Sequence, residues 1–308
     1  MVRKHTRRAA KAAFAVSIGV ALLIGLLAST AGAAKTASKP TIVIGTKNFA
    51  EEYILGQIYG QALQAKGFKV VYKGSFGSSE LADKAITSGK MNFYPEYTGV
   101  IALDLAKAKN APKTAAATYT VAKQFENTRG LTLLNPTPFY DTDTFTMLTK
   151  TAKRLKVHTI ADMKGHAFTY AGYPECQTRI TCILGMKKIY HLTNIKFIPI
   201  GTISVYTLLD EGKATAGDGF STDPAQLNKK YTALVDSKHI FGFQNVAPVL
   251  SKKLLTGSSG TLLARTCNTV SSKLSLAAMR AMNRAYYVDK ASAKQIAHGF
   301  LSANHLLK

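Results

Sequence analysis

Apolar positions fall into short blocks separated by polar, glycine-containing stretches. Thr41-Ile42-Val43-Ile44-Gly45 is a β-rich apolar run that ends in glycine, the pattern of a buried strand. Next, Ile54, Ile58 and Ala62 lie in one row and Leu55, Tyr59 and Leu63 in the adjacent one, which is helical spacing. Asn48 is placed as its N-cap, with Glu51 three residues on, and Gly67 as its end. The alternation continues. Strands are predicted at 68–72, 91–94, 131–134, 166–171, 195–199 and 214–218, with an extended segment at 144–148. Helices are predicted at 113–128, 179–190 and 206–211, a short one capped by Ser78 or Ser79, and a long final stretch over 271–300 with a break near Asp289. Strands alternating with helices predict an α/β architecture with mainly parallel sheets. Ligands of such sheets sit beyond the carboxyl ends of the strands.

The first 39 residues stand apart. Arg3, Lys4, Arg7, Arg8 and Lys11 precede an apolar run over 12–27, and small residues follow at 29–33. This is the pattern of a secretory signal peptide, residues 1–33, with an uncleaved anchor as the other reading. No cysteine follows the run, so a lipid anchor is not expected. The protein is expected to be secreted, periplasmic or held at the cell surface. About 270 further residues are long for one open sheet and predict two lobes.

Charge narrows the function classes. The chain has 40 Lys and Arg against 17 Asp and Glu, a formal net charge of +23. Seven of the basic residues and none of the acidic ones lie in residues 1–39, which leaves +16 for the rest. That excess is scattered, without an arginine-rich block or a nucleic-acid signature, so no nucleic-acid partner is expected. The sequence has no Gly-x-Ser-x-Gly elbow, phosphate-binding loop, dinucleotide fingerprint or His-Glu-x-x-His. The seven histidines are dispersed and predict no metal site. No cofactor is implied. An exported α/β chain without catalytic grammar is expected to bind rather than to catalyse. Export also predicts a disulfide between Cys176 and Cys182, six residues apart, with Cys267 left as a buried thiol.

Four motifs make the expectation specific. They are Ile44-Gly45-Thr46-Lys47-Asn48-Phe49-Ala50-Glu51, Tyr94-Pro95-Glu96-Tyr97-Thr98-Gly99, Gly217-Asp218-Gly219-Phe220-Ser221-Thr222-Asp223 and Gln244-Asn245-Val246-Ala247-Pro248-Val249. In this order and spacing they resemble the osmoprotectant-binding proteins of ABC importers, receptors for glycine betaine, choline, carnitine and related quaternary ammonium solutes. The resemblance implies the type II periplasmic-binding fold: two α/β lobes joined by two crossing strands, with the ligand between them. It implies lobe 1 over 40–143 plus 247–308 and lobe 2 over 144–246. It also implies an aromatic cage from Tyr97, Tyr140 and Phe220 and a carboxylate-binding pair, Lys47 and Arg179. Asn48, Thr98 and Gln244 complete the expected contacts. Gln244 stands where one branch of the family has a Tyr, Phe220 lacks a Tyr hydroxyl, and Val100 stands where a Thr is common. The implied partners are the small solute and a membrane permease, and the implied state is a monomer. Receptors of the same fold for another polar solute, an enzyme on this scaffold and a basic adhesion module are the alternatives.

Overall fold

The computed structural model describes residues 39–201 and 203–308. The signal-peptide reading of 1–33 lies outside them. The described chain runs β1 (Ile42–Thr46), α1 (Ala50–Ala65), β2 (Val70–Ser75), α2 (Ser79–Thr87), β3 (Phe93–Tyr97), α3 (Ala115–Asn127), β4 (Leu131–Leu133) and β5 (Asp143–Leu148). Then come α4 (Thr149–Leu155), β6 (Phe168–Gly172), α5 (Ile183–Lys188), β7 (Ile195–Pro199), α6 (Val205–Asp210), β8 (Ala216–Phe220), β9 (Tyr231–Leu234) and β10 (Val246–Ser251). Helices α7 (Gly257–Lys273), α8 (Leu276–Tyr287) and α9 (Ala293–Ala303) close the chain.

The strands form two five-stranded sheets, β2-β1-β3-β10-β4 and β7-β6-β8-β5-β9, each the floor of one lobe. The expectation of mainly parallel sheets needs correction. β1 pairs parallel with β2 and β3, and β6 with β7 and β8. β10 and β5 run antiparallel to both of their neighbours. Both are strands that the chain enters straight after crossing between lobes, so they arrive against the direction set by the βαβ units. The crossing segments lie side by side. Tyr140 and Asn245 form an antiparallel bridge. The Thr137 N–H donates to Val246 O at 2.8 Å and the Asp141 N–H to Gln244 O at 3.0 Å.

The core of the first lobe gathers around α1. Ile54, Leu55, Ile58 and Tyr59 are fully buried, between the sheet and a cap from the C-terminal helices that includes Leu263, Val270, Ala297 and Leu301. Burying such side chains stabilises the fold by about 1.5–3 kcal/mol each. The second lobe has a separate core around Phe145, Met147, Tyr170 and Met186.

Local expectations fail where tertiary contacts override them. Asn48 is not the N-cap of α1; Phe49 holds that position, without a side-chain cap. The Lys47 N–H beside it is held instead by Glu52 Oε2 at 3.2 Å. The helix expected over 179–190 is reduced to α5, preceded by a 3-10 turn at Pro174–Gln177. Six residues of α-helix rise about 9 Å, whereas the Cys176–Cys182 disulfide holds its two Cα atoms 5.2 Å apart. The bond and a helix through 176–182 are incompatible. The final helical stretch starts at Gly257, earlier than expected, and breaks also at Leu274–Ser275, where Ser275 caps α8 by accepting from the Ala278 N–H.

Candidate functional site

A cleft opens where the carboxyl ends of β1, β3 and β8 meet the first crossing segment and the loop after β6. Lys47, Asn48, Phe49 and Tyr97 line it from the first lobe, Asp141 and Asp143 from the crossing, and Tyr173, Arg179, Asp218 and Phe220 from the second lobe. The lobes touch on both flanks. On one side Arg179 makes a two-pronged ion pair with Glu80, both bonds 3.1 Å, and Thr181 Oγ1 donates to Asp104 at 2.7 Å. On the other, Arg280 donates to Ser221 O at 2.7 and 3.0 Å.

Aromatic rings run along the cleft. Phe49 lies nearly parallel to Tyr97, centroids 6.2 Å apart, and to Phe220, centroids 6.0 Å apart. Tyr173 follows at 6.4 Å from Phe220. The expected cage is thereby redrawn. Tyr97 and Phe220 face the cleft, but Tyr140 is 52% exposed and lies outside the lining. Successive side chains of an extended segment point to opposite sides, so Asp141, one residue on, takes the inward position. Phe49 and Tyr173 join the row without having been expected in the cage. Phe49 stands inside the first motif, in the position between strand and helix; Tyr173 has no motif and is found only by its place after β6.

Both expected carboxylate-binding cations are already engaged. Lys47 is 3% exposed and its ammonium pairs with Glu96 and, at 3.5 Å, with Glu52, both fully buried. The same ammonium sits 4.0 Å from the Tyr97 ring centroid and 5.6 Å from that of Phe49. Burial pushes the Glu52 carboxyl up to about 8 although Lys47 pulls it down. Burial acts to raise Glu80 as well, but hydrogen bonds and charge from Arg179 outweigh it and hold that carboxyl at about 2.

Two further expected contacts are hydrogen-bonded within the protein. Thr98 is fully buried and its hydroxyl donates to Phe243 O at 3.0 Å, outside the cleft lining. Gln244 does reach the lining, and each end of its amide makes one bond within the protein. Its Oε1 accepts from the Val100 N–H at 3.0 Å, and its Nε2 donates to Phe241 O at 3.0 Å. A Cβ on Gly99 would fall 2.6–2.8 Å from that amide, so glycine there leaves the room that Gln244 fills. Asn48 faces the cleft and is exposed.

The rest of the ionisable lining is acidic. Asp141 Oδ1 accepts from the Thr222 hydroxyl at 2.8 Å and its N–H at 3.1 Å. Tyr170 donates to Asp218 Oδ1 at 3.3 Å. Burial raises the Asp143 carboxyl to about 7 despite Arg179, and raises Asp218 well above the ordinary range with Asp143 adding to it. An Asp218 oxygen lies within 4.8 Å of both Cys176 and Cys182 sulfurs, but these are bonded to each other and leave no thiolate for a metal.

Residues 40–303 match the substrate-binding domain of the ABC-type glycine betaine transport system. The chain belongs to this family. A glycine-betaine-binding protein of Pseudomonas aeruginosa is 30% identical over 288 residues, covering 89% of this chain and 91% of the relative. The glycine betaine-binding protein YehZ of Escherichia coli is 25% identical, with 84% and 89% covered. Among solved structures, a glycine betaine/carnitine/choline ABC transporter protein superimposes with a TM-score of 0.69 at 21% identity, covering 87% of this chain and all of that one. That likeness bears out the two-lobed type II periplasmic-binding fold. Two five-stranded sheets, one in each lobe, flank the cleft. No helix among the described residues is long and apolar enough to cross a membrane.

Proposed function

We propose that this protein is an extracytoplasmic receptor that captures a quaternary ammonium solute in the interlobe cleft and delivers it to the membrane permease of an ABC importer. The observation that carries this reading is the row of rings from Tyr97 through Phe49 and Phe220 to Tyr173, with a cation already against it in the Lys47 ammonium. A quaternary ammonium ion has no N–H to donate and keeps its charge at every pH. Ring faces hold it by cation–π attraction and dispersion, about 0.5–2 kcal/mol per ring according to how dry the site is. The ligand names of the relatives, glycine betaine above all, agree with that chemistry.

The receptor acts by closure. Ligand contacts to both lobes add to Arg179–Glu80, Thr181–Asp104 and Arg280–Ser221, and shift the population toward the closed form. It binds one solute and releases it unchanged. Isothermal titration against glycine betaine, choline, carnitine and amino acids tests this. One-to-one binding of a methylated ammonium with recovery of intact ligand is expected. Binding of amino acids with no response to any quaternary ammonium would replace the reading with the other solute class.

A further inference from the structure

The relatives' names direct attention to ligands with a carboxylate, but the cleft of this chain is poorly furnished for one. Lys47 is closed off by Glu52 and Glu96. Arg179 spends Nε and Nη2 on Glu80, and its charge is shared with Asp104, Glu175, Asp143 and Asp218 around it. Against these two engaged cations the lining holds four carboxylates, Asp141, Asp143, Glu175 and Asp218. The molecule carries a formal +23, so an acid-rich cleft is a local arrangement and not a reflection of composition.

Two of the four have unused acceptors beside the rings. Asp143 and Phe220 are register partners across β5 and β8, and Asp218 lies two residues before Phe220 on the same face. Asp218 is 6% exposed, receives one hydrogen bond, from Tyr170 to Oδ1, and lines the cleft with its other oxygen unpaired among the described residues. Asp143 is half-buried in the lining and receives no side-chain hydrogen bond among the described residues. A ligand whose ammonium meets Phe220 thus places its other end within reach of these two acceptors, while both cations of the lining are already paired with carboxylates.

Building on the receptor function proposed above, we infer that Asp143 and Asp218 form a specificity subsite that favours quaternary ammonium ions bearing a hydroxyl or N–H donor over those bearing a carboxylate. The hydroxyl donates to the unpaired carboxylate oxygen, and the whole cation offsets the crowding of negative charge. A carboxylate in the same place brings acceptor against acceptor and adds a like charge to a buried group of them. Burial disfavours the charged form of both carboxyls, and a bound cation shifts them back toward the ionised form that accepts from a hydroxyl.

Choline and glycine betaine test this closely, since they differ chiefly in a hydroxyl or a carboxylate at the end away from nitrogen. Calorimetry on the purified protein at pH 7.5 is expected to give choline at least tenfold tighter than glycine betaine, and tighter than tetramethylammonium, which has the charge but no donor. Asp143→Asn and Asp218→Asn are expected to narrow the choline-to-betaine ratio at least threefold, with circular dichroism confirming the fold. Should Asp218→Asn not fold, the partly exposed Asp143 carries the variant test. Glycine betaine binding as tightly as choline overturns the inference and leaves the receptor function standing. So does choline no tighter than tetramethylammonium, or an unchanged ratio in folded Asp143→Asn. Failure of every quaternary ammonium to bind would instead remove the receptor reading on which the inference rests.

Discussion

Replacing Lys47 by methionine distinguishes a ligand contact from a structural ion. Methionine keeps most of the volume of the aliphatic stem and deletes the ammonium. In the native protein that ammonium faces Glu96 and Glu52, both with no exposed surface, and the Tyr97 ring at 4.0 Å. Removing one partner of a buried ion pair costs about 3–5 kcal/mol, because the other charge stays buried without compensation. Here the loss falls toward the lower end, since Glu52, pushed up to about 8, is already largely protonated at neutral pH. A loss of about 3 kcal/mol in a chain of this size corresponds to a Tm lower by roughly 6–12 °C. Thermal melts at pH 7 measure it. Glu96→Gln in the same chain removes the stranded charge and is expected to recover a good part of the loss. With the ring face vacated, choline affinity in Lys47→Met should stay within about threefold of the parent or improve. An unchanged Tm together with a tenfold loss of betaine affinity would instead make Lys47 a carboxylate contact.

Three other outcomes are expected. Phe220→Ala should weaken any quaternary ammonium by roughly 0.5–2 kcal/mol, about two- to thirtyfold, while Tyr140→Ala, outside the lining, should leave affinity unchanged by calorimetry. Stability should fall between pH 5.5 and pH 8. Glu52, Asp143, Glu126 and Asp223 are raised by burial to about 8, 7, 7 and 6, so the folded state holds these protons where the unfolded chain has released them. Their contribution is complete below the unfolded values near 4 and is lost as pH rises through the folded ones. A Tm that is flat or rising over that interval would contradict it. Cys176→Ser with Cys182→Ser should cost about 2.4 kcal/mol in the chain-entropy model for a seven-residue loop, read from denaturant midpoints. An equal midpoint with and without the bond would show that it adds nothing to stability.

The sequence alone established the alternation of strand and helix, the positions of most elements to within a few residues, the disulfide and the order of motifs that marks the family. These rest on local terms: the period of apolar positions, glycine at element ends, and a pair of cysteines six apart. The first motif also placed Lys47, Asn48 and Phe49 at the cleft, because the end of a strand in an open α/β sheet faces the ligand wherever the chain goes next.

The tertiary structure decided what those residues do. Lys47 meets Glu96 49 positions away and Arg179 meets Glu80 99 positions away, and no periodicity reveals that either charge is spoken for. Asp141 rather than Tyr140 reaches the lining through a single step of strand alternation, which the crossing segment fixes by pairing with Asn245 and Gln244. The directions of β5 and β10 follow from where the chain re-enters each sheet. The acidic lining of a strongly basic protein likewise exists only in three dimensions. Asp141 and Asp143, Glu175, and Asp218 come from three separate segments, and burial in one cleft, rather than their number, gives them their weight.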